Sequence, residues 1–522
     1  MSRLKRAIRG VASSYILLAA TAFYTLASVF VALHYLDQAR FGLWATMGGL
    51  IGYLSLIDAG MSSSTARLLI DHKDDHDGGQ YGSLIKTGWL VALVQSAIIL
   101  AIGLVFANSF ARLLAIPAEL HSEFIHLVYL QCSVVALSFA TRIFSMILNA
   151  HQRMDLVNYI GTFSLAVNFA TQWVFFHLGF GVISLAWAAL CATVTMVSCQ
   201  WLACETLKLF PQRGAWSRAS WSHFKEIFAF GKDMFLVVVG TQLIMASQTI
   251  VITRLLGLPV AGLWSVGLRV FNLVSQLIWR ISDMSGAAFA EMMVRAEIDR
   301  LRDRYRAVAV LTASLGGFGA VSFVLCNSLF VPLYSAGKFQ WPVGNDVLLG
   351  VWMIVMAVLH CHNSFVLTTK KVGFMRYVYF LEGVVFVTLS VLVARPGGLP
   401  AIIACSVVCS TVFSGAYGIW RISRYFNLPL REVGWRWLRP MGKMLLFYIP
   451  LAGLTWWVSM PFAEIIRLGI NTIFACTIGS YLFLRYGISP VFQTEILARV
   501  PQRVCRVLKF VFPGADGNVM TE

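Results

Sequence analysis

The stretch RFGLWATMGGLIGYL at 40–54 returns in altered form as VAGLWSVGLRVFNLV at 260–274, with its Gly-Leu-Trp 220 residues further on (262 − 42). Taken alone, a shared tripeptide is weak evidence in a chain rich in these three residues. Two more pairs of segments align at offsets of 219 and 218 residues, 147–160 with 366–379 and 178–190 with 396–408. The nearly constant offset predicts two copies of one unit.

The composition is that of a membrane protein. Of 522 residues, 58% are hydrophobic and 12% are charged, and the mean hydropathy is +0.74, whereas a soluble domain is roughly a quarter charged. Apolar runs of about 20 residues, long enough to cross the hydrocarbon core as helices, recur along the whole chain. We predict 14 spans, near 11–34, 41–66, 84–107, 122–148, 156–177, 181–205, 229–255, 260–290, 305–331, 345–369, 374–394, 398–421, 440–460 and 463–485.

The repeat divides these spans into two sets of six. Because six is even, both copies enter the membrane from the same side, which predicts parallel repeats that form two lobes around a central cavity and suit alternating access. The sequence thus predicts an all-α polytopic fold with two extra C-terminal helices. The predicted parts are an N-lobe at 1–205, a cytosolic interfacial connector with a helix at 206–228, a C-lobe at 229–421, extra spans at 440–485 and a cytosolic tail at 486–522.

Basic residues are distributed to one side of the predicted spans. Of 41 Lys and Arg, 32 fall in segments on the side of the N-terminus and 6 on the other. The positive-inside rule therefore places both termini in the cytosol, in a plasma (inner) membrane. The formal net charge of +17 reflects this topology and contact with anionic lipid, so no nucleic-acid partner is expected. The ten cysteines form neither a disulfide pattern nor a CxxC metal motif.

Ionisable side chains within spans are functional candidates, because a charge at membrane depth is costly. There are six of them: Asp58, Arg142, Arg269, Arg280, Asp283 and Glu382. In the eighth span, polar residues recur every three or four positions from Arg269 to Asp283 and include Asn272, Gln276 and Arg280. They share one helix face and predict a hydrophilic path about 21 Å long.

The fourth span carries a similar series with Gln131 and Arg142. Guanidinium groups suit a phosphate, which they hold through two hydrogen bonds. The predicted substrate-binding residues are Arg142, Arg269, Arg280, Asn272, Gln276 and Gln131. An alternative is that Arg280 and Asp283, at i and i+3, neutralise each other while the amides hold helices together.

Acids are the candidates for an ion-coupling site, with H⁺ or Na⁺ as the coupling cation. Asp58, Asp283 and Glu382 are the choices, and Asp58 and Glu382 have no basic partner at helical spacing. His360 and His362 are either proton carriers or packing residues. The segment DHKDDHDGG at 71–79 is predicted to be a solvated turn. No metal, cofactor or catalytic residue is predicted.

Three segments carry a family resemblance: FGLWATMGGLIGYLSLIDAGMSSSTARLL at 41–69, ILNAHQRMD at 147–155 and HFKEIFAFG at 223–231. They resemble the lipid-linked oligosaccharide flippases, or polysaccharide transporters, of the superfamily that also holds multidrug and toxin extrusion transporters and lipid II flippases. The resemblance covers about 1–425. It departs at Gly231-Lys232-Asp233, where such proteins often have an apolar residue and a proline.

The resemblance implies a non-enzymatic transporter that carries a polyprenyl-pyrophosphate-linked oligosaccharide across the inner membrane, with polysaccharide assembly proteins as further partners. One alternative is an ion-coupled exporter of drugs or small molecules from the same superfamily, which would favour acids over arginines in its cavity. Another is a membrane-embedded glycosyltransferase, polymerase or ligase. Such enzymes tend to need a large external loop or soluble domain, and the predicted external loops are short.

Overall fold

The computed structural model describes residues 3–73, 79–212, 214–369, 372–499 and 511–512, and every regular element in these ranges is helical. The predicted all-α polytopic fold is confirmed. By its internal packing the chain divides into two compact units, Met1–Ser265 (the first unit) and Val266–Glu522 (the second unit). Most of the predicted tail, 500–510 and 513–522, lies outside the described residues, as do 74–78 of the predicted turn.

Nine helices lie within the first unit, and a tenth crosses its end. They are α1 (Arg3–Tyr35), α2 (Gln38–Leu54), α3 (Met61–His72), α4 (Gln80–Leu113), α5 (His121–Thr141), α6 (Ile143–Ala150), α7 (Met154–His177), α8 (Ile183–Thr206), α9 (Trp221–Leu256) and α10 (Leu258–Val294).

The second unit holds the rest of α10 and the shorter helices that follow. They are α11 (Ile298–Tyr334), α12 (Val343–Thr368), α13 (Met375–Ser410), α14 (Ala416–Phe426), α15 (Arg439–Ser459), α16 (Glu464–Phe474), α17 (Ser480–Leu482) and α18 (Pro490–Arg499), with π-helical turns at Thr411–Gly415, Glu432–Arg436, Ala475–Gly479 and Phe483–Gly487.

Twelve helical stretches among the described residues are long and apolar enough to cross a membrane. One of them, Met375–Phe426, has 52 residues and turns at Gly398, where the backbone is left-handed, so it covers two predicted spans. Helix α7 is not among the twelve but covers the predicted span 156–177. Each of the 14 predicted spans therefore coincides with helix, and the approximate count agrees with the structure.

Helix α9 packs against α2 and α3 within the first unit. Gly52 lets the helices approach closely, because a Cβ built there would lie 2.9 Å from the Cβ of Ala246. Thr46 and Thr253 add a hydrogen bond of 2.8 Å between their hydroxyls. Small residues with interhelical hydrogen bonds are typical of membrane helix packing. The compact units consequently divide at Ser265, and the predicted lobes at 1–205 and 229–421 stay a prediction.

The connector differs from its prediction, because it contains no separate interfacial helix. Its described residues are irregular from 207 to 220, and Trp221 already begins α9, which continues unbroken for 36 residues. The irregular part is bound to α4, since Ser83 Oγ donates to Arg218 O at 2.7 Å and Lys86 Nζ donates to Trp216 O at 3.1 Å. These bonds to backbone carbonyls replace the helical hydrogen bonds that the prediction assumed.

The two extra helices predicted at 440–485 pack on α11. Tyr448 of α15 is buried, and its hydroxyl lies 2.9 Å from Ser322 Oγ. Asn471 of α16 donates to the carbonyl oxygen of Leu325 at 2.9 Å. An aromatic cluster with Tyr305 and Trp437 fills the core nearer the other end of α11. The second unit is thus built around α11.

Candidate functional site

A break in a predicted span forms the most polar cluster of the first unit. The span predicted at 41–66 is interrupted after the 3₁₀ turn Ser55–Asp58, where Ala59 and Gly60 are both left-handed with φ of 48° and 76°. The interruption leaves backbone carbonyls without helical partners. Gln95 supplies them, because its Nε2 donates to Ile57 O at 2.9 Å and to Asp58 O at 3.3 Å. Irregular backbone of this kind is tolerated at membrane depth only where protein or water satisfies it.

Arg142 and Asp58 form an ion pair at this break. The guanidinium of Arg142 donates to the Asp58 carboxylate and to the Ser62 hydroxyl, and it stacks on the ring of Phe139 with 3.5 Å between Cζ and the ring centroid. The side chains of Arg142 and Asp58 are 18% and 24% exposed. Arg142 itself lies between α5 and α6, so two interrupted spans meet at the pair.

The ion pair corrects one premise of the sequence analysis. Asp58 was expected to have no basic partner, since none lies three or four residues away along the chain. The partner comes from another helix, 84 residues later in the sequence. Asp58 is therefore already neutralised, which weakens its case as a cation site.

The predicted stripe of the eighth span lies on the surface of the second unit. Asn272, Gln276, Arg280 and Asp283 are all exposed along one face of α10, and Arg269 is partly buried. Helix α10 is one of the twelve candidate spans, so these groups interrupt an otherwise apolar surface. The arrangement presents amide and guanidinium donors in a row about 17 Å long between residues 272 and 283, at 1.5 Å per residue.

Asp283 is paired with His360 of α12, not with Arg280, among the described residues. The distance between His360 Nε2 and Asp283 Oδ1 is 2.9 Å. The imidazole also stacks on Trp279, with ring centroids 4.8 Å apart and planes 14° apart. The mutual neutralisation of Arg280 and Asp283, weighed as an alternative above, is therefore not the arrangement found. Sequence spacing could not reveal the His360 partner, since 77 residues separate it from Asp283.

The remaining predicted residues lie in buried positions. Glu382 is 1% exposed, and its Oε2 accepts a hydrogen bond of 3.1 Å from the backbone N of Ser414, in a π-helical turn. Gln131 lines an apolar cavity of about 300 Å³ between α2, α4, α5 and α9. Its Nε2 finds no hydrogen-bond partner among the described residues. His362 is buried and hydrogen-bonded to the Tyr305 hydroxyl, which fits a packing role.

Metal chemistry finds no framework in the part of the chain that is described. No group of three or more His, Cys, Asp or Glu side chains is placed to hold a metal ion there. The nine described cysteines are free thiols. The polar groups brought together are donors and paired charges, suited to binding and movement of a ligand.

A helical polytopic fold with polar and charged side chains at span depth defines the class of membrane transporters. Within that class, the model of the family described as polysaccharide biosynthesis protein matches residues 19–340. The chain belongs to this family. Among curated protein sequences, none matches the chain significantly.

Solved structures of transporters share the fold. The lipid II flippase MurJ in an inward closed conformation aligns with a TM-score of 0.67 at 11% identity, over 92% of this chain and 99% of MurJ. An inward-facing MATE multidrug resistance transporter of the MOP superfamily aligns with a TM-score of 0.65 at 14% identity, over 78% of this chain and 95% of its own. A MOP superfamily transporter from Pyrococcus furiosus aligns at 0.56 and 13%, over 80% and 96%. The predicted resemblance and MATE-like fold are confirmed, and these relatives are transporters and flippases.

Proposed function

We propose that this protein is a flippase that moves a polyprenyl-pyrophosphate-linked oligosaccharide across the inner membrane by alternating access. The observation that carries the proposal is the exposed donor row on α10, where Arg280 stands with Asn272 and Gln276 on a membrane-spanning helix. A pyrophosphate presents several charged acceptor oxygens, and a guanidinium can hold two of them at once. Membership of a polysaccharide biosynthesis family supports a glycan as the cargo.

The arginines play different parts in this proposal. Arg280 is exposed and binds the phosphates directly, and Arg269 extends the same helix face. Arg142 joins by exchange, since a phosphate oxygen has to replace the carboxylate of Asp58 on its guanidinium. Gln131 offers a free amide donor in the first unit. The lipid-linked glycan is the partner, and polysaccharide assembly proteins supply and receive it.

The coupling ion and membrane sidedness belong to the same proposal. A cation gradient, of H⁺ or Na⁺, drives the cycle through one of the acids Asp58, Asp283 and Glu382. Asp58 is the weakest of these because Arg142 already neutralises it. The split of basic residues supports cytosolic termini, so the cargo enters from the side where lipid-linked sugars are built.

Purified protein in lipid vesicles provides the test. We expect vesicles that contain the protein to translocate a fluorescent polyprenyl-pyrophosphate disaccharide, measured by its accessibility to a membrane-impermeant quencher, and to leave a cationic dye in place. Transport of the dye without the glycolipid would favour the multidrug exporter. Formation of a longer glycan from added sugar donors would show an enzyme instead.

A further inference from the structure

Both units place an acid from their second span against a base from their fourth span. In the first unit the pair is Asp58 with Arg142, and in the second unit it is Asp283 with His360. The two bases are 218 residues apart (360 − 142), which is one of the offsets of the internal repeat. The second pair therefore occupies the repeat position of the first, with imidazole in place of guanidinium.

This replacement changes what the pair can do. A guanidinium keeps its charge at any physiological pH, whereas imidazole is the side chain that gains and loses a proton between pH 5 and 8. The second pair is also more accessible, since the side chains of His360 and Asp283 are 29% and 51% exposed. A proton can thus reach the pair from outside the packed core.

The geometry also says which nitrogen takes the proton. An ionised carboxylate only accepts hydrogen bonds, so Nε2 of His360, which lies 2.9 Å from Asp283 Oδ1, carries a hydrogen in the neutral ring. Nδ1 then holds the lone pair and is the atom that binds the incoming proton. Uptake takes the pair from a net charge of −1 to zero.

Other titratable groups on the helices around α12 are occupied elsewhere. Tyr305 of α11 bonds to His362, which is buried. On α13, Tyr379 bonds to Asn363 and Glu382 accepts from Ser414. On α10, the charged neighbour of Asp283 is Arg280, three residues earlier on the exposed face.

We propose that His360 and Asp283 form a proton-binding site of this transporter, and that its proton couples to the cargo. The coupling part rests on the proposed function. Removing the net negative charge of the pair strengthens the attraction between neighbouring Arg280 and an anion, so proton and phosphate favour each other's binding. Coupling energies between two sites typically alter affinity by about 5- to 150-fold.

Trp279 reports proton binding without any cargo. A protonated imidazole stacked on an indole quenches its fluorescence, so we compare pH titrations of the wild type and Trp279→Phe in detergent. We expect their difference to show a single transition between pH 5 and 8. It should vanish in His360→Gln and persist in His126→Gln, an exposed histidine of the first unit. A flat difference, or a transition that survives His360→Gln, would overturn the site.

Coupling is tested separately in vesicles with an imposed pH gradient. His360→Arg gives the second unit the permanent charge of the first, and it should transport the glycolipid at a rate that no longer depends on the gradient. Transport by His360→Arg that still follows the gradient would contradict the coupling role. If the wild type carries no glycolipid while Trp279 still titrates, the proposed cargo is wrong and the proton site stands.

Discussion

The two acid–base pairs use equivalent places in the repeat for opposite purposes. Asp58–Arg142 sits where two spans are interrupted, is mostly shielded, and carries further bonds to Ser62 and Phe139. Asp283–His360 joins two unbroken helices, and its members are more exposed. The first pair holds charges that are costly to separate, so its role includes stability. The second is cheap to alter and free to titrate.

The largest expected difference between the pairs is in stability. Arg142→Ala leaves Asp58 charged and largely shielded, so we expect a loss of about 2–3 kcal/mol, somewhat below the 3–5 kcal/mol typical of a fully buried pair. Thermal unfolding in detergent, followed by size-exclusion chromatography, measures it. The added change Asp58→Ala should restore most of the loss, since no unpaired charge remains. A double variant as unstable as Arg142→Ala would show that the pair itself is not the cause.

The interrupted span gives the next largest effect. Gly60 has φ of 76°, and an alanine in the left-handed region costs about 1–2 kcal/mol, so Gly60→Ala should lower the melting temperature. Ala59, with φ of 48°, should show the reverse, and Ala59→Gly should raise it. Gly48→Ala in α2 is the matched control, because a Cβ there meets nothing within 4 Å and alanine favours the helix. Equal effects at Gly48 and Gly60 would argue that the span is continuous.

The fold was readable from the sequence, and the site only in part. Hydropathy and the repeat predicted the helices because each span needs an apolar run of fixed length. The same signal is blind to the break at Ala59–Gly60, since two residues change conformation without changing hydropathy. Helical periodicity found the row from Asn272 to Asp283 but reports only neighbours on one helix. The partners of Asp58 and Asp283 lie 84 and 77 residues away and required the fold.

The connector shows the same limit. Its aromatic residues Trp221, Phe224 and Phe228 were taken as an interfacial helix. They stack in sequence along the first turns of α9, with centroids 4.7 Å and 6.2 Å apart. Their spacing is the same in a separate helix and in the start of a longer one.

The smallest effect is expected at the second pair. Exposed ion pairs contribute little, so Asp283→Ala and His360→Ala should each change the free energy of unfolding by less than about 0.5 kcal/mol. The thermal unfolding assay used for Arg142 gives the comparison. A loss equal to that of Arg142→Ala would make the second pair a structural one and remove the contrast between the units.

Export of the cell-surface glycan by Arg280→Ala, expressed at the wild-type level in a strain that lacks the native protein, tests the central claim most directly. A charge-assisted hydrogen bond contributes about 1.5–3 kcal/mol, so loss of Arg280 should weaken phosphate binding roughly 10- to 150-fold and reduce export strongly. Arg280→Lys should restore it partly, because it keeps the charge and loses the two-pronged geometry. Arg295→Ala, just beyond the end of α10, should export normally. Normal export by Arg280→Ala would contradict the account.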